Sequence, residues 1–287
     1  MASEPAARES ALLLPWRGPG ADRPDLPLPP GRMPMRSEGQ TRKRWRYVGF
    51  YGADVMLCAA RAQVGPFAQC FWALWDRGAD RSYANTRLRP GSTEVRMDGP
   101  RIEIEARELR ASLVLGDSAP VESICPSGSG WGWTRKRAGV PISGTIETAD
   151  RRWQVNGRGV DDQSAGYQKR QTSWHWSAGI GRAVDGRPLA WNLVEGINDP
   201  PVNSERAIWI NGEPTEPAPV SFKGVSAVEF SAGAQLSFTP GSERSRTDNF
   251  LVFRSSYRHL FGEFSGSLDG IELAEGLGVM EQHDAVW

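Results

Sequence analysis

From residue 36 to the end of the chain, apolar and polar positions alternate over short runs instead of recurring every three or four residues. In STEVRMDGPRIEIEARELRASLVLG (92–116), Ile102, Ile104 and Ala106 fall on one side, with Glu103, Glu105 and Arg107 on the other. That is the two-residue period of a half-buried strand. AVEFSAGAQLSFTP and NFLVFRSSYRHLFGEFSGSL have the same β-rich texture. Long windows with apolar residues at i, i+3, i+4 and i+7 are scarce, so only a few short helices are expected. Strand-sized runs return about every ten residues, the spacing of an antiparallel sandwich or barrel.

Turn signals sharpen this pattern. Asp185-Gly186, inside QTSWHWSAGIGRAVDGRPLAWNLVEGIND (171–199), predicts a hairpin in which both turn residues take positive φ. Asn211-Gly212 in AIWINGEP predicts a second hairpin. Within the first, Trp174 and Trp176 share a face and His175 takes the other. On the returning strand Trp191 and Leu193 point together, with Asn192 and Val194 opposite.

Residues 1–35 hold a large share of the chain's 21 prolines and little apolar period, and read as an extended arm. The remainder is expected to form two β-barrel-like halves, 36–140 and 141–287. The tetrapeptide Thr-Arg-Lys-Arg occurs at 41–44 and again at 134–137, and would mark a duplication if the two copies occupy corresponding strands. The alternative is basic residues on solvated strand faces.

Composition then narrows the function. The 34 basic residues balance 34 acidic ones, which removes the electrostatic argument for a nucleic-acid or anionic-membrane partner. Three cysteines without CxxC spacing, Cys58, Cys70 and Cys125, are read as reduced and inert, in a cytoplasmic protein. No secretory signal or run of about 20 apolar residues is present, so a soluble protein without a transmembrane segment is expected. The chain has no G-x-S-x-G elbow and no Walker sequence, and GIGRAV (179–184) lacks the third glycine of a dinucleotide loop. The spacing of His175, His259 and His283 does not suit a metal site, so neither metal nor cofactor is expected.

Twelve tryptophans remain to be explained. Bulky core filling is the plain reading, with each indole N–H needing a partner. Two clusters suggest more. The hairpin gathers Trp174, Trp176 and Trp191 near His175, Asn192 and Glu195. The C-terminal GVMEQHDAVW places Glu281 and His283 on one strand face and Asp284 on the other. SSYRHLFGEFSG adds Tyr257 and His259 on a shared face. A carboxyl group enclosed among indoles would lose its hydration, titrate nearer neutrality and serve as a proton donor. Aromatic faces would stabilise a developing cation by about 1–2 kcal/mol each.

The stretches RKRWRYVGFYG, FWALWDR, WTRKRAGVPISG, DDQSAGYQKRQTSWHWSAGIGRAVDGRPLAWNLVEGIND, SERAIWINGE, RSSYRHLFGEFSG and GVMEQHDAVW resemble a bacterial family known as domain of unknown function 2804. They cover most of the chain after residue 35. At the level of fold the chain is similar to lipocalin-related double β-barrel proteins, among them carotenoid 1,2-hydratases, tocopherol cyclase and fungal Diels–Alder cyclases. That resemblance implies an all-β protein of two lipocalin-like antiparallel halves packed together and enclosing a hydrophobic small molecule.

The combined expectation is a Trp-lined barrel cavity for a terpenoid, polyketide or lipid-like substrate. Acid-assisted hydration, isomerisation or cyclisation would follow there without a cofactor. Glu281 or Glu195 would donate the proton, with His283 and Asp284 tuning it. Trp174, His175, Trp176, Trp191, Asn192, Tyr257 and His259 would hold the substrate. The alternatives are a non-catalytic carrier of a hydrophobic ligand, or a structural protein with a solid aromatic core; a homodimer is left open. A cavity of at least ~300 Å³ would disfavour the solid-core reading.

Overall fold

The structure is a computed structural model and describes residues 15–20, 22–88, 92–231, 233–250 and 253–286. Residues 1–14 and 21 of the expected arm lie outside the described residues. Two antiparallel sheets hold nearly all the strands. The first opens with a meander of Lys43–Tyr51, Val55–Val64, Phe67–Asp76 and Arg81–Arg87. It ends in the long strands Gly130–Glu147 and Arg152–Gly166, and the last strand returns to pair with the first, setting Asp162 opposite Tyr47.

The second sheet repeats that order. A meander of Gln171–Ala183, Pro188–Glu195, Ala207–Ile210 and Glu213–Thr215 is followed by a run ending in Gln235–Phe250, Phe253–Leu268 and Ile271–Val286. Here too the last strand closes on the first, with Glu281 opposite Trp176. The chain is therefore all-β, two lipocalin-like antiparallel halves packed together. No helix occurs among the described residues, where a few short ones were expected. Most connections are tight turns, and the helical period never lasts long enough to repay nucleation.

The chain passes from one sheet to the other across residues 167–170, whereas the expected 140/141 division falls inside the strand Gly130–Glu147. The repeated Thr-Arg-Lys-Arg does not mark the two halves. Its first copy leads into the opening strand of the first sheet, and its second lies in the penultimate strand of that same sheet. The repetition is one of topology, carried by pairing order.

Alternation sorts each strand between two environments. Val48 and Phe50 turn into the first half's own core with Leu57 and Trp72, while Tyr47 and Tyr51 face the second half. Leu189, Trp191 and Leu193 likewise fill the second half's own core, while Ala190 and Val194 face the first. The molecule thus has an apolar core within each half and a third between them, here called the seam. Part of the expected arm is built into this frame. Trp16–Gly18 pairs with Val121–Ser127, and Trp16, Leu28 and Met33 are buried against Ile124 and Trp131. Arg17 Nη1 donates to the Arg206 carbonyl at 2.9 Å, tying the first sheet's edge to the second.

Both predicted hairpins form, with different turns. Asn211 and Gly212 have φ of 54° and 88°, and Ile210 pairs with Glu213, the two-residue primed turn that the dipeptide predicts. At Asp185-Gly186 only the glycine is left-handed, at φ 89°. Gly186 N–H donates to Ala183 O at 2.8 Å and Ala183 N–H to Arg187 O at 2.9 Å, giving a three-residue loop closed by a left-handed glycine. The Asp185 carboxylate accepts from the Arg187 amide at 3.1 Å instead of following the glycine into positive φ.

Candidate functional site

Three neighbouring strands of the second sheet build the site. Their register places Trp176, Glu281 and His259 in one row and Trp174, His283 and Tyr257 in the next. Residues directly opposite share a face, so all six look into the seam. Trp174 Nε1 donates to Glu281 Oε1 at 2.9 Å, and the Tyr257 hydroxyl donates to Oε2 at 2.7 Å. Trp176 Nε1 donates to Asn192 Oδ1 at 2.8 Å, and the Asn192 amide donates to the Glu205 carbonyl at 3.0 Å. His259 Nε2 lies 3.0 Å from the Tyr47 hydroxyl of the opposing sheet, and His283 Nε2 lies 2.7 Å from Ser255 Oγ.

The other four expected site residues fall elsewhere, because strand parity turns them away from the seam. Trp191 belongs to the second half's own core, edge-on to Phe264 at 5.0 Å, with its Nε1 donating to Ser177 Oγ at 3.1 Å. A Cβ on Gly179 would overlap the Trp191 ring, so glycine there is what lets the indole lie flat. His175 stacks on Phe222 at 5.6 Å, and its cross-strand partner Glu195 accepts the Phe222 amide at 3.0 Å. Asp284 is exposed and accepts from Ser173 Oγ at 2.5 Å. Glu195 and Asp284 thus share no wall with Glu281, and the three histidines do not converge.

The expected barrel cavity is replaced by a pocket in the seam. It has a volume of about 100 Å³, and Trp45, Trp174, Trp176, Val194, Ile197 and Glu281 form its aromatic and aliphatic side. The halves enclose their own packed apolar cores, so the opening lies where the two sheets meet. Its volume is below the ~300 Å³ lower bound for a pocket enclosing a drug-sized ligand.

The opposite side of the pocket was not anticipated. Lys136 Nζ lies 2.6 Å from Asp162 Oδ2 and 3.2 Å from Glu205 Oε1, and all three residues are buried. Asn198 Nδ2 donates to Glu205 Oε2 at 3.0 Å. Lys136 belongs to the second Thr-Arg-Lys-Arg copy, for which a solvated strand face was one of two readings. In the structure Lys136-Arg137 pairs residue by residue with Asp162-Asp161 on the adjacent strand, and Arg137 Nη2 lies 2.8 Å from Asp161 Oδ2. The sequence signal was a basic doublet and an acidic doublet on consecutive β runs, which becomes readable only with the register in hand.

Burial governs the electrostatics. Loss of hydration pushes the Glu281 carboxyl up to about 7, against the opposing pull of the Tyr257 and Trp174 hydrogen bonds. Asp162 and Glu205 are also pushed up, by burial first, with Lys136 pulling the other way. Burial works to lower Lys136, yet its two carboxylates hold it above the ordinary lysine range. One ammonium therefore faces three buried carboxyl groups. Glu281, which makes no ion pair among the described residues, is the one left to keep a proton near neutrality. His259 and His283 are pushed down to about 3, first by burial, with the Arg244 charge adding to the effect. Both are therefore neutral rings at pH 7. Burial also lifts the Cys58 and Cys125 thiols to about 12, which makes them poor nucleophiles.

The seam between the two lipocalin-like sheets thus encloses a hydrogen-bonded acid among indoles. Residues 82–287 match the family described as Domain of unknown function (DUF2804), and the chain belongs to that family. Among curated proteins none matches. Among solved structures, the chain is similar to an AttH-type protein of Nitrosomonas europaea, at 14% identity and a TM-score of 0.55, covering 90% of this chain and 98% of that one. It is also similar to kievitone hydratase of Nectria haematococca, at 8% identity and a TM-score of 0.50, covering 85% and 89%. At these identities the likeness is one of fold.

Proposed function

We propose that the chain takes the unsaturated end of a hydrophobic small molecule, of terpenoid, polyketide or lipid-like kind, into the seam pocket and protonates it from Glu281. The single observation that carries this reading is the Glu281 carboxyl. It is buried, held at both oxygens by Trp174 and Tyr257, without an arginine or lysine ion pair among the described residues, and poised near neutrality. An acid that titrates near the working pH is suited to both giving and recovering a proton. The Glu281 proton passes to one carbon of a double bond, and the neighbouring carbon becomes cationic between the Trp174 and Trp176 rings. Capture of water with return of one of its protons to Glu281 completes a hydration. Loss of a proton from another carbon to Glu281 completes an isomerisation, and attack of a second double bond of the substrate on the cation followed by that proton loss completes a cyclisation. The Tyr257 hydroxyl holds the carboxylate ready to receive the returning proton.

The pocket's volume admits only the reacting end of such a molecule. The remainder would leave past Lys43 and Arg44, which line the same pocket. One fold neighbour bears the name of a hydratase, which is an association of fold and adds no residue-level support.

Two measurements test the reading. Incubation with isoprenoid and polyketide alkenes in heavy-oxygen or deuterated water, followed by mass spectrometry, should show label uptake that falls about 10²–10⁴-fold in Glu281→Gln. Infrared difference spectra of the substrate-free protein should show one protonated carboxyl band at pH 6 that is missing in Glu281→Gln and lost above pH 8. A Glu281 already ionised at pH 5 would remove the proton donor, and the proposal with it.

A further inference from the structure

A second recess opens on the seam, separate from the Glu281 pocket, with a volume of about 20 Å³ and walls that include Trp45, Phe71, Arg244, Ser255 and Tyr257. Its notable occupant is Arg244. The guanidinium carbon lies 4.2 Å from the centroid of the Phe71 ring and 5.3 Å from that of Tyr257. Nη2 donates to Thr86 Oγ1 at 2.7 Å, whereas Nη1 is shut away from solvent without a hydrogen-bond partner. Among the described residues no carboxylate forms an ion pair with Arg244. The contrast with its neighbour two residues on is sharp. Arg246 faces the same recess and is bound at 2.7 Å and 2.6 Å to both oxygens of Asp248.

A guanidinium cannot shed its proton to relieve this situation. Arg244 is half-buried, and a donor shut away from solvent without a partner, as Nη1 is, is disfavoured unless an acceptor meets it. The other groups around the recess agree with an anionic visitor. Gln69 and Ser255 also line it. His283 presents a neutral ring, and Asp248, the recess's one carboxylate among the described residues, is already neutralised by Arg246. The recess has room for one or two water-sized groups, which suits a carboxylate head and excludes a body. Phe71 is buried beneath the guanidinium, and half-buried Trp45 offers the aromatic wall for an apolar body beside that head. Trp45 also lines the Glu281 pocket.

From this we infer that Arg244 is the anchor of a binding subsite for the carboxylate of an amphipathic organic acid, whose apolar part lies along Trp45. The inference concerns binding and stands whether or not Glu281 delivers a proton.

The test is isothermal titration of the full chain with trans-cinnamate, with its uncharged amide cinnamamide, and with inorganic phosphate. Saturable cinnamate binding is expected, at least tenfold tighter than that of cinnamamide or phosphate, and weakening as sodium chloride is raised. Arg244→Gln should weaken cinnamate at least tenfold and leave cinnamamide unchanged, and Arg244→Lys should fall between. If Arg244→Gln does not fold, a change in the Arg244 guanidinium resonances of the wild-type chain on adding cinnamate, absent with cinnamamide, supplies the same evidence. Equal affinity for acid and amide, undiminished binding in Arg244→Gln, or no saturable binding overturns the subsite. Phosphate binding as tightly as cinnamate reduces it to a general anion site and overturns the amphipathic-acid assignment.

Discussion

Glu281 and Glu195 belong to the same sheet, with a single strand between theirs, yet they inhabit different physical worlds. Glu281 projects into the seam, where the opposing sheet removes its water and two aromatic side chains supply its hydrogen bonds. Glu195 projects to the other side of the sheet, beside His175, and accepts a backbone amide of the Val220–Phe222 strand. One carboxyl group is made reactive by enclosure, and the other ties a strand end down. The contrast arises from parity, since adjacent positions along a strand meet opposite faces. It also shows where a double-sheet protein can place chemistry. Each half fills its own interior with apolar side chains, while the face between the halves carries Lys136, Asp162, Glu205 and Glu281.

This contrast can be broken most forcefully at Lys136. Replacing Lys136 with Met leaves Asp162 and Glu205 buried without their cation, at an expected cost of about 3–5 kcal/mol. Chemical denaturation checks this, and an unchanged midpoint would mean that the seam's charges are solvated after all.

The next effect concerns pH. The Glu281 carboxyl ionises near 7 in the folded chain and near 4.5 when unfolded. Between those values the folded state holds a proton that the unfolded state has released. Its contribution to stability therefore falls as pH rises through the window, by up to about 3 kcal/mol. Glu281→Gln should abolish that slope and leave the protein more stable than wild type at pH 8, even as turnover is lost. Parallel slopes in the two proteins would show that Glu281 is hydrated.

Tyr257→Phe gives a smaller change. Losing one donor to the carboxylate should raise the Glu281 titration midpoint by about one pH unit, near 1.4 kcal/mol. Carbon-13 NMR of labelled glutamate can follow it, and an unmoved midpoint would contradict the hydrogen bond. The smallest effects belong to the opposite face. Glu195→Gln and Asp284→Asn should each change stability by no more than about 0.5 kcal/mol and leave turnover intact. Loss of turnover in Glu195→Gln would erase the distinction between the two faces.

Much of this arrangement can be read along the chain. Two-residue alternation foretold an all-β protein. Asn211-Gly212 foretold its turn type, because both residues tolerate positive φ. The same alternation correctly separated Trp174 and Trp176 from His175, and Glu281 and His283 from Asp284. What misled was proximity in sequence. Trp191 lies near Trp176 along the hairpin, but parity sends its ring into the second half's own core. The basic copy at 134–137 reads as surface until the register sets Lys136 against Asp162.

Alternation along a strand is local and survives translation into sequence, so strand faces and the all-β class were settled by residue order. Which face becomes the inside of a half and which becomes the seam depends on two sheets closing on each other. The hydrogen bonds to Glu281 come from neighbouring strands of its own sheet, which register alone brings together. Trp174 lies 107 positions from that carboxyl, and residues of the opposing sheet complete the enclosure that lifts its titration. A carboxyl group is reactive here through the water it has lost, and that loss exists only once the halves have met.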